Sequence, residues 1–215
     1  MGTPTRLNPF DSACRRCERL SCYLDAVRAE YPEYYCKPVP PFGDQDARLV
    51  VVGLAPGKHG ANATGRPFTG DHAGVLLYKT LHKFGYASRA ESLSDGDGLT
   101  LSDCRITNAV KCLPPENKPT NPEIQQCNTY LQAELTHCRA GTVILALGLV
   151  AHKAVLKAFG LVQARFPFKH NQAHGIGGDL TLLDSYHCSR YNTQTRRLTE
   201  AMFEQVFEKA GKLLS

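Results

Sequence analysis

Two groups of residues could do chemistry. The first is a set of cysteines. Cys14 and Cys17 form C-x2-C, and Cys112 and Cys127 form C-x14-C. A C-x2-C pair can place two thiolates on one metal or cluster, and two further cysteines complete tetrahedral sulfur ligation. Spacing alone allows either zinc or an iron–sulfur cluster. Cys22 and Cys36 are substitute ligands, while Cys104, Cys138 and Cys188 suit buried free thiols. The second group sits in the stretch "VVVGLAPGKHGANATGRPFTGD", Val50 to Asp71. It is not a phosphate loop: Gly53 to Gly57-Lys58 is one residue short of G-x-x-x-x-G-K-[ST], and His59 stands where a hydroxyl is needed. Backbone amides around Gly53, Leu54 and Ala55 can face an acceptor, and Phe68 can stack on a planar ring. Asp71 can activate water or stabilise a cation. Taken singly, Phe68 also reads as a core residue and Asp71 as a helix N-cap.

Four apolar segments must position these groups: 47–55, 104–112, 141–148 and 180–187. Each is short, rich in Val, Ile, Leu or Thr, and flanked by turn residues. Their continuous apolar character favours a parallel sheet covered on both faces. Helical periodicity lies between them, with Thr120 or Asn121 capping one helix and Thr199 near the start of the last. The alternation predicts a three-layer α/β/α fold with a central, mainly parallel four-stranded sheet. One unit over residues 1–215 is expected, with a helical segment at about 10–36. In such sheets ligands bind outside the carboxyl ends of the strands. Those ends lead into Pro56–Asp71, Lys111–Asn117, Gly148–His152 and His187–Asn192.

The chain has 215 residues, enough for one good core. Its net charge of +5 permits an anionic partner without demanding one. Nine cysteines, an odd number, with no apolar leader, argue against a disulfide framework and for the cytoplasm. The apolar runs are far too short to span a membrane.

Three stretches now carry a resemblance: "GLAPGKHGANATGRPFTGD", "TNAVKCLPPENKPT" and "LLDSYHCSRYNTQTRRLT". They resemble the three motifs of the uracil-DNA glycosylase superfamily, and most nearly its family 5, the type B enzymes with an iron–sulfur cluster. The resemblance runs from about Cys14 to Leu198. It implies a monofunctional repair glycosylase that flips uracil out of DNA and hydrolyses its N-glycosidic bond, leaving an abasic site. Hypoxanthine and xanthine are implied as further substrates. It implies a structural 4Fe–4S cluster on Cys14, Cys17, Cys112 and Cys127. The expected partners are double- and single-stranded DNA carrying deaminated bases, for a monomer in a bacterial or archaeal cytoplasm, with no membrane.

The resemblance also distributes roles. Phe68 matches the stacking phenylalanine and Asn108 a position that reads a pyrimidine edge. His187 matches the motif histidine, which would stabilise the leaving base. Amides near Gly53, Leu54 and Ala55 would help hold that base. Better-known relatives carry a polar residue where this chain has Leu54, so the usual water activator is missing. Asp71 is the preferred substitute, with Asn62 as a water-positioning group. Ser189, Arg190, Tyr191 and Asn192 match the loop that enters the minor groove, and Arg196 and Arg197 are candidates for backbone contact. His59, His170 and His174 resemble family positions near the pocket without an assigned role. An iron–sulfur electron carrier and a zinc-stapled nucleic-acid-binding module are the competing classes; neither explains all three motifs.

Overall fold

In the computed structural model, which describes residues 10–215, the valine run forms β2 (Leu49–Gly53), with every residue buried. Leu49 and Val51 pack on one face with Leu77, Leu81, Phe203 and Phe207. Val50 and Val52 pack on the other with Leu131, Ala151 and Leu156. Successive strand side chains point to opposite faces, so a strand covered on both sides is apolar throughout. β3 (Cys104–Asn108), β4 (Val143–Leu147) and β6 (Thr181–Ser185) lie parallel in the same sheet.

The sheet has six strands rather than the expected four, in the order β1-β3-β2-β4-β6-β5. The additions are antiparallel edges, β1 (Phe42–Gly43) beside β3 and β5 (Ala173–Gly175) beside β6. They are two and three residues long, too short to show a periodicity. The four central strands are those the apolar runs mark.

Helices α3 (His72–Lys83) and α7 (Glu200–Leu214) cover one face; α4 (Asn121–Leu135) and α5 (Leu149–Ala158) cover the other. Their starts follow capping chemistry. Asp71 caps α3, Thr199 caps α7, and Thr120 with Glu123 forms a capping box on α4. α1 (Glu18–Glu30) packs Leu20 against Val110 and Tyr130, and Leu24 and Val27 against Leu113. Two further short helices, α2 (Ala61–Thr64) and α6 (Arg190–Gln194), lie within stretches that read as loops. Among the described residues, no helix is long and apolar enough to cross a membrane.

Candidate active site

Strand register brings the motifs to one edge. Gly53 at the end of β2 pairs with Asn108 at the end of β3, and Leu147 of β4 pairs with Ser185 of β6. The segments leaving these ends surround a cavity of about 560 Å³. Its lining includes Leu54, Ala55, Phe68, Asp71, Asn108 and His187, together with Asn117, Leu149, Phe168 and Tyr186.

Phe68 serves both the core and the cavity. It is 6% exposed and belongs to the core cluster beneath α3. Its φ of +55° is rare for a bulky residue and persists only where neighbours fix it. Arg66 supplies much of that fixing. Its guanidinium bonds Asp97 at 2.6 and 3.0 Å, Ser92 Oγ at 2.8 Å and Thr69 Oγ1 at 3.0 Å. Tyr78 donates its hydroxyl to the Pro67 carbonyl at 2.8 Å. Glycines supply the space. A Cβ on Gly53 would lie 2.4 Å from Asn108 Oδ1 and 2.6 Å from Phe68 Cζ, and one on Gly74 would lie 1.8 Å from the Phe68 carbonyl oxygen. Gly53 therefore sits beneath the cavity and lets the phenylalanine ring and the asparagine amide converge over it.

The Asn108 Oδ1 is buried and has no hydrogen-bond partner. A buried amide oxygen left unpaired is costly unless a ligand supplies the donor. The His187 ring faces that of Phe68, with centroids 6.0 Å apart and planes 29° from parallel. Burial pushes its imidazole down to about 4, so it is neutral at physiological pH, with one donor and one acceptor nitrogen.

Asp71 occupies both of its readings. Oδ1 accepts the Gly74 N–H at 2.8 Å as the α3 cap. Oδ2 lies over Gly57 and Gly60, where a Cβ would be 3.6 and 2.8 Å away. Burial raises its carboxyl above the ordinary value, partly offset by the Gly74 and Ala73 amides. Asn62 is not part of the lining. α2 turns it inward, fully buried, and its amide donates to Cys36 Sγ at 3.4 Å and to the Lys58 carbonyl at 3.5 Å.

The 189–192 segment is helical where a loop was expected. Ser189 Oγ caps α6 by accepting the Asn192 N–H at 3.5 Å. The Asn192 amide donates to the His187 carbonyl at 2.8 Å and so braces the histidine, and Asn192 joins Ser189 and Arg190 in the cavity lining. Tyr191 projects with 71% exposure, and Arg190 is also exposed. Of the two arginines beyond, Arg197 covers the Tyr186 ring at 4.7 Å and joins the lining, while Arg196 is exposed.

In a second, small cavity, Cys14, Cys17, Cys112 and Cys127 form the lining with Leu20 and Tyr130. All four are free thiols. The Lys111 amide donates to Cys127 Sγ at 3.2 Å. Burial raises the Cys112 thiol, and the nearby Cys127, Cys14 and Cys17 sulfurs raise it further. The first turn of α1, which directly follows Cys17, is tied to α4, which carries Cys127, by two Arg19–Glu123 hydrogen bonds of 2.7 Å. Cys22 is exposed, and Cys36 is engaged by Asn62.

Residues 40–211 match the family model of the uracil DNA glycosylase superfamily. The chain belongs to this superfamily. It is 46% identical over 207 residues to the type-5 uracil-DNA glycosylase of Thermus thermophilus, covering 94% of each chain. To that of Pyrobaculum aerophilum it is 42% identical over 202 residues, covering 92% of this chain and 88% of the other. Identity to the type-4 uracil-DNA glycosylase of Archaeoglobus fulgidus is lower, 31% over 206 residues, covering 93% and 89%. The crystal structure of WT Pedobacter heparinus SMUG2 shares the fold, with a TM-score of 0.50 over 97% of this chain and 95% of that one, at 15% identity. The motif resemblance to the family 5 branch is borne out.

Sequence reasoning assigned no role to two walls of the cavity. Phe168 lies outside the three motif stretches, and Tyr186 lies inside the third, directly before His187, but carried no assigned chemistry. Leu149 and Asn117 fall in strand-end segments flagged by the fold rule but carried no chemical signal of their own.

Proposed function

We propose that this uracil-DNA glycosylase receives a flipped uracil in the 560 Å³ cavity and cleaves its N-glycosidic bond there. The observation that carries this reading is the convergence of Phe68, Asn108, His187 and Asp71 on that one cavity. A base within a duplex stack cannot be reached, so the nucleotide must rotate out. Phe68 then offers a ring face worth about 1–3 kcal/mol of stacking. The unpaired Asn108 Oδ1 accepts the uracil N3–H, and its amide nitrogen serves O4.

Bond cleavage sends the C1′–N1 electron pair onto the base, where it spreads to O2. The neutral His187 donates an N–H to that oxygen without transferring a proton. The sugar becomes oxocarbenium-like, and the Asp71 carboxylate stabilises it and accepts the proton of the attacking water at Oδ2. The departed base takes its proton from solvent. Asn62 holds the loop through Cys36 and Lys58; it is a positioning residue. Tyr191 and Arg190 present an exposed wedge and cation toward DNA. The cavity volume also suits hypoxanthine and xanthine.

Cys14, Cys17, Cys112 and Cys127 are assigned as ligands of a 4Fe–4S cluster. Four free sulfurs on one small cavity, with a backbone N–H aimed at one of them, fit the thiolate donor set such a cluster requires. Bound there, it would cross-link the α1 end to β3 and α4.

The test is incubation with duplex oligonucleotides carrying uracil, hypoxanthine or xanthine, followed by alkali. Strand breaks at uracil and at a deaminated purine support the reading; no breaks with folded protein defeats it.

A further inference from the structure

His152 of α5, His174 of β5 and Asp184 of β6 meet behind the cavity wall, on a side the glycosylase chemistry does not use. His152 and Asp184 are 2% and 0% exposed, and the His174 side chain is 10% exposed. Nε2 of His152 lies 2.9 Å from the Phe166 carbonyl oxygen. A carbonyl only accepts, so Nε2 carries the hydrogen. Nδ1 then faces Asp184 Oδ1 at 2.7 Å. In a neutral ring that nitrogen is a lone pair. A lone pair and a carboxylate oxygen at this distance share a proton, unless both turn to ligate one metal, which would hold them about 3 Å or more apart.

His174 decides between the two. Its Nε2 is buried without a hydrogen-bond partner, 3.5 Å from the other carboxylate oxygen of Asp184. A proton on His152 satisfies one imidazole and leaves the second with only the 3.5 Å approach to Asp184. A divalent metal takes both nitrogens and the carboxylate together. The three ligand atoms all lie within 4.8 Å of one another; side-chain rotations that open the His152–Asp184 pair and draw in His174 would bring each to a metal–ligand distance of about 2.0–2.2 Å. The Nε2–H to carbonyl bond of His152 is also the outer hydrogen bond that orients a metal-binding imidazole.

We propose that His152, His174 and Asp184 bind one divalent transition metal, with zinc the fitting ion for two imidazoles and a carboxylate. The site is structural and separate from the cysteine set. It pins the 166–174 segment to β6: the Phe166 carbonyl, the Lys169 N–H (3.4 Å from Asp184 Oδ2) and His174 all belong to that segment. Phe168 in the same segment packs edge-on against His152 at 5.5 Å and lines the cavity. The metal thereby stiffens a wall of the base pocket.

The test uses purified holoprotein, stripped with a mild chelator, reloaded with Zn²⁺ and desalted. Metals are then counted by mass spectrometry and Tm is measured. The expected result is about one zinc per chain beyond the cluster iron. Tm should rise by roughly 5 °C or more at zinc a hundredfold above Kd. In His174→Gln the extra zinc disappears and Tm stops responding, with iron unchanged. Equal zinc in both proteins, or a wild-type Tm indifferent to zinc and chelator, overturns the proposal and leaves a proton in the site. If His174→Gln does not fold, Co²⁺ replaces Zn²⁺ in the wild type. Visible cobalt bands without thiolate charge-transfer bands support the site; thiolate bands alone overturn it.

Discussion

The rings of Phe68 and His187 face one another in the cavity lining, 6.0 Å between centroids and 29° from parallel. One side chain offers a stacking face and the other a neutral N–H donor, so binding and leaving-group stabilisation are separable. Phe68→Ala should raise KM for uracil-containing DNA about tenfold or more, equivalent to about 1–3 kcal/mol of lost stacking. His187→Ala should lower kcat by about 10²–10³, the usual loss for one donor to a developing anion. Steady-state kinetics on a uracil oligonucleotide separates the two, and the reverse pattern would exchange the assigned roles.

His187 also sets a pH dependence of stability. Its folded value of about 4 lies below the ordinary histidine value. Between about 6.5 and 4 the unfolded chain binds a proton that the folded chain refuses. Stability is therefore full above about 6.5 and falls as pH drops toward 4. Denaturant melts at pH 7.5 and 5 should show this loss, and His187→Gln should show less of it. An identical loss in the variant places the proton elsewhere.

The Asp71 substitution isolates charge from capping. Asn caps a helix about as well as Asp, so Asp71→Asn keeps the bond from Gly74 while removing the carboxylate. A kcat loss of about 10²–10⁴ with unchanged Tm is expected. The wild-type acid limb of kcat should lie above the ordinary carboxylate value, because burial raises the Asp71 carboxyl. A loss of less than tenfold reduces Asp71 to a cap.

Gly53 tests the convergence beneath the base. In Gly53→Ala the new methyl would lie 2.4 Å from Asn108 Oδ1 and 2.6 Å from Phe68 Cζ. Overpacking of this kind costs about 1–3 kcal/mol in stability. Uracil binding should weaken by about tenfold, whereas Gly175→Ala, where no atom stands within 4 Å of the Cβ, should leave binding unchanged. Fluorescence titration with uracil-containing DNA measures both.

The Arg19–Glu123 pair joins the two halves of the cysteine set. Arg19→Ala should speed loss of iron to a chelator severalfold while Tm shifts by only a few degrees, since part-exposed pairs contribute about 1 kcal/mol or less. Absorbance near 400 nm follows the loss. Equal rates would show that α1 is held by packing alone.

The legible parts of this molecule were those whose sequence pattern follows from burial. β2, β3, β4 and β6 are covered on both faces, so each is a continuous apolar run, and the motifs fall where these strands end. The Thr120 and Thr199 caps were legible for the same kind of reason, as local side-chain chemistry. β1 and β5 were not, because edges of two and three residues carry no period. The inward direction of Asn62 was not legible, because it depends on α2, four residues long. Phe168 reaches the cavity only because the 166–174 segment is anchored on His152 and Asp184, a tertiary contact no local pattern announces.

The most direct measurement is release of free uracil from a uracil-containing duplex by the wild-type protein and by Asp71→Asn, under single-turnover conditions. The wild type should release one uracil per site and leave an alkali-labile abasic position, with Asp71→Asn slower by about 10²–10⁴ at equal folded content. Equal rates for the two proteins would take the base role from Asp71, and intact uracil sites after incubation with folded wild type would contradict the cavity's assignment as the place where the glycosidic bond is broken.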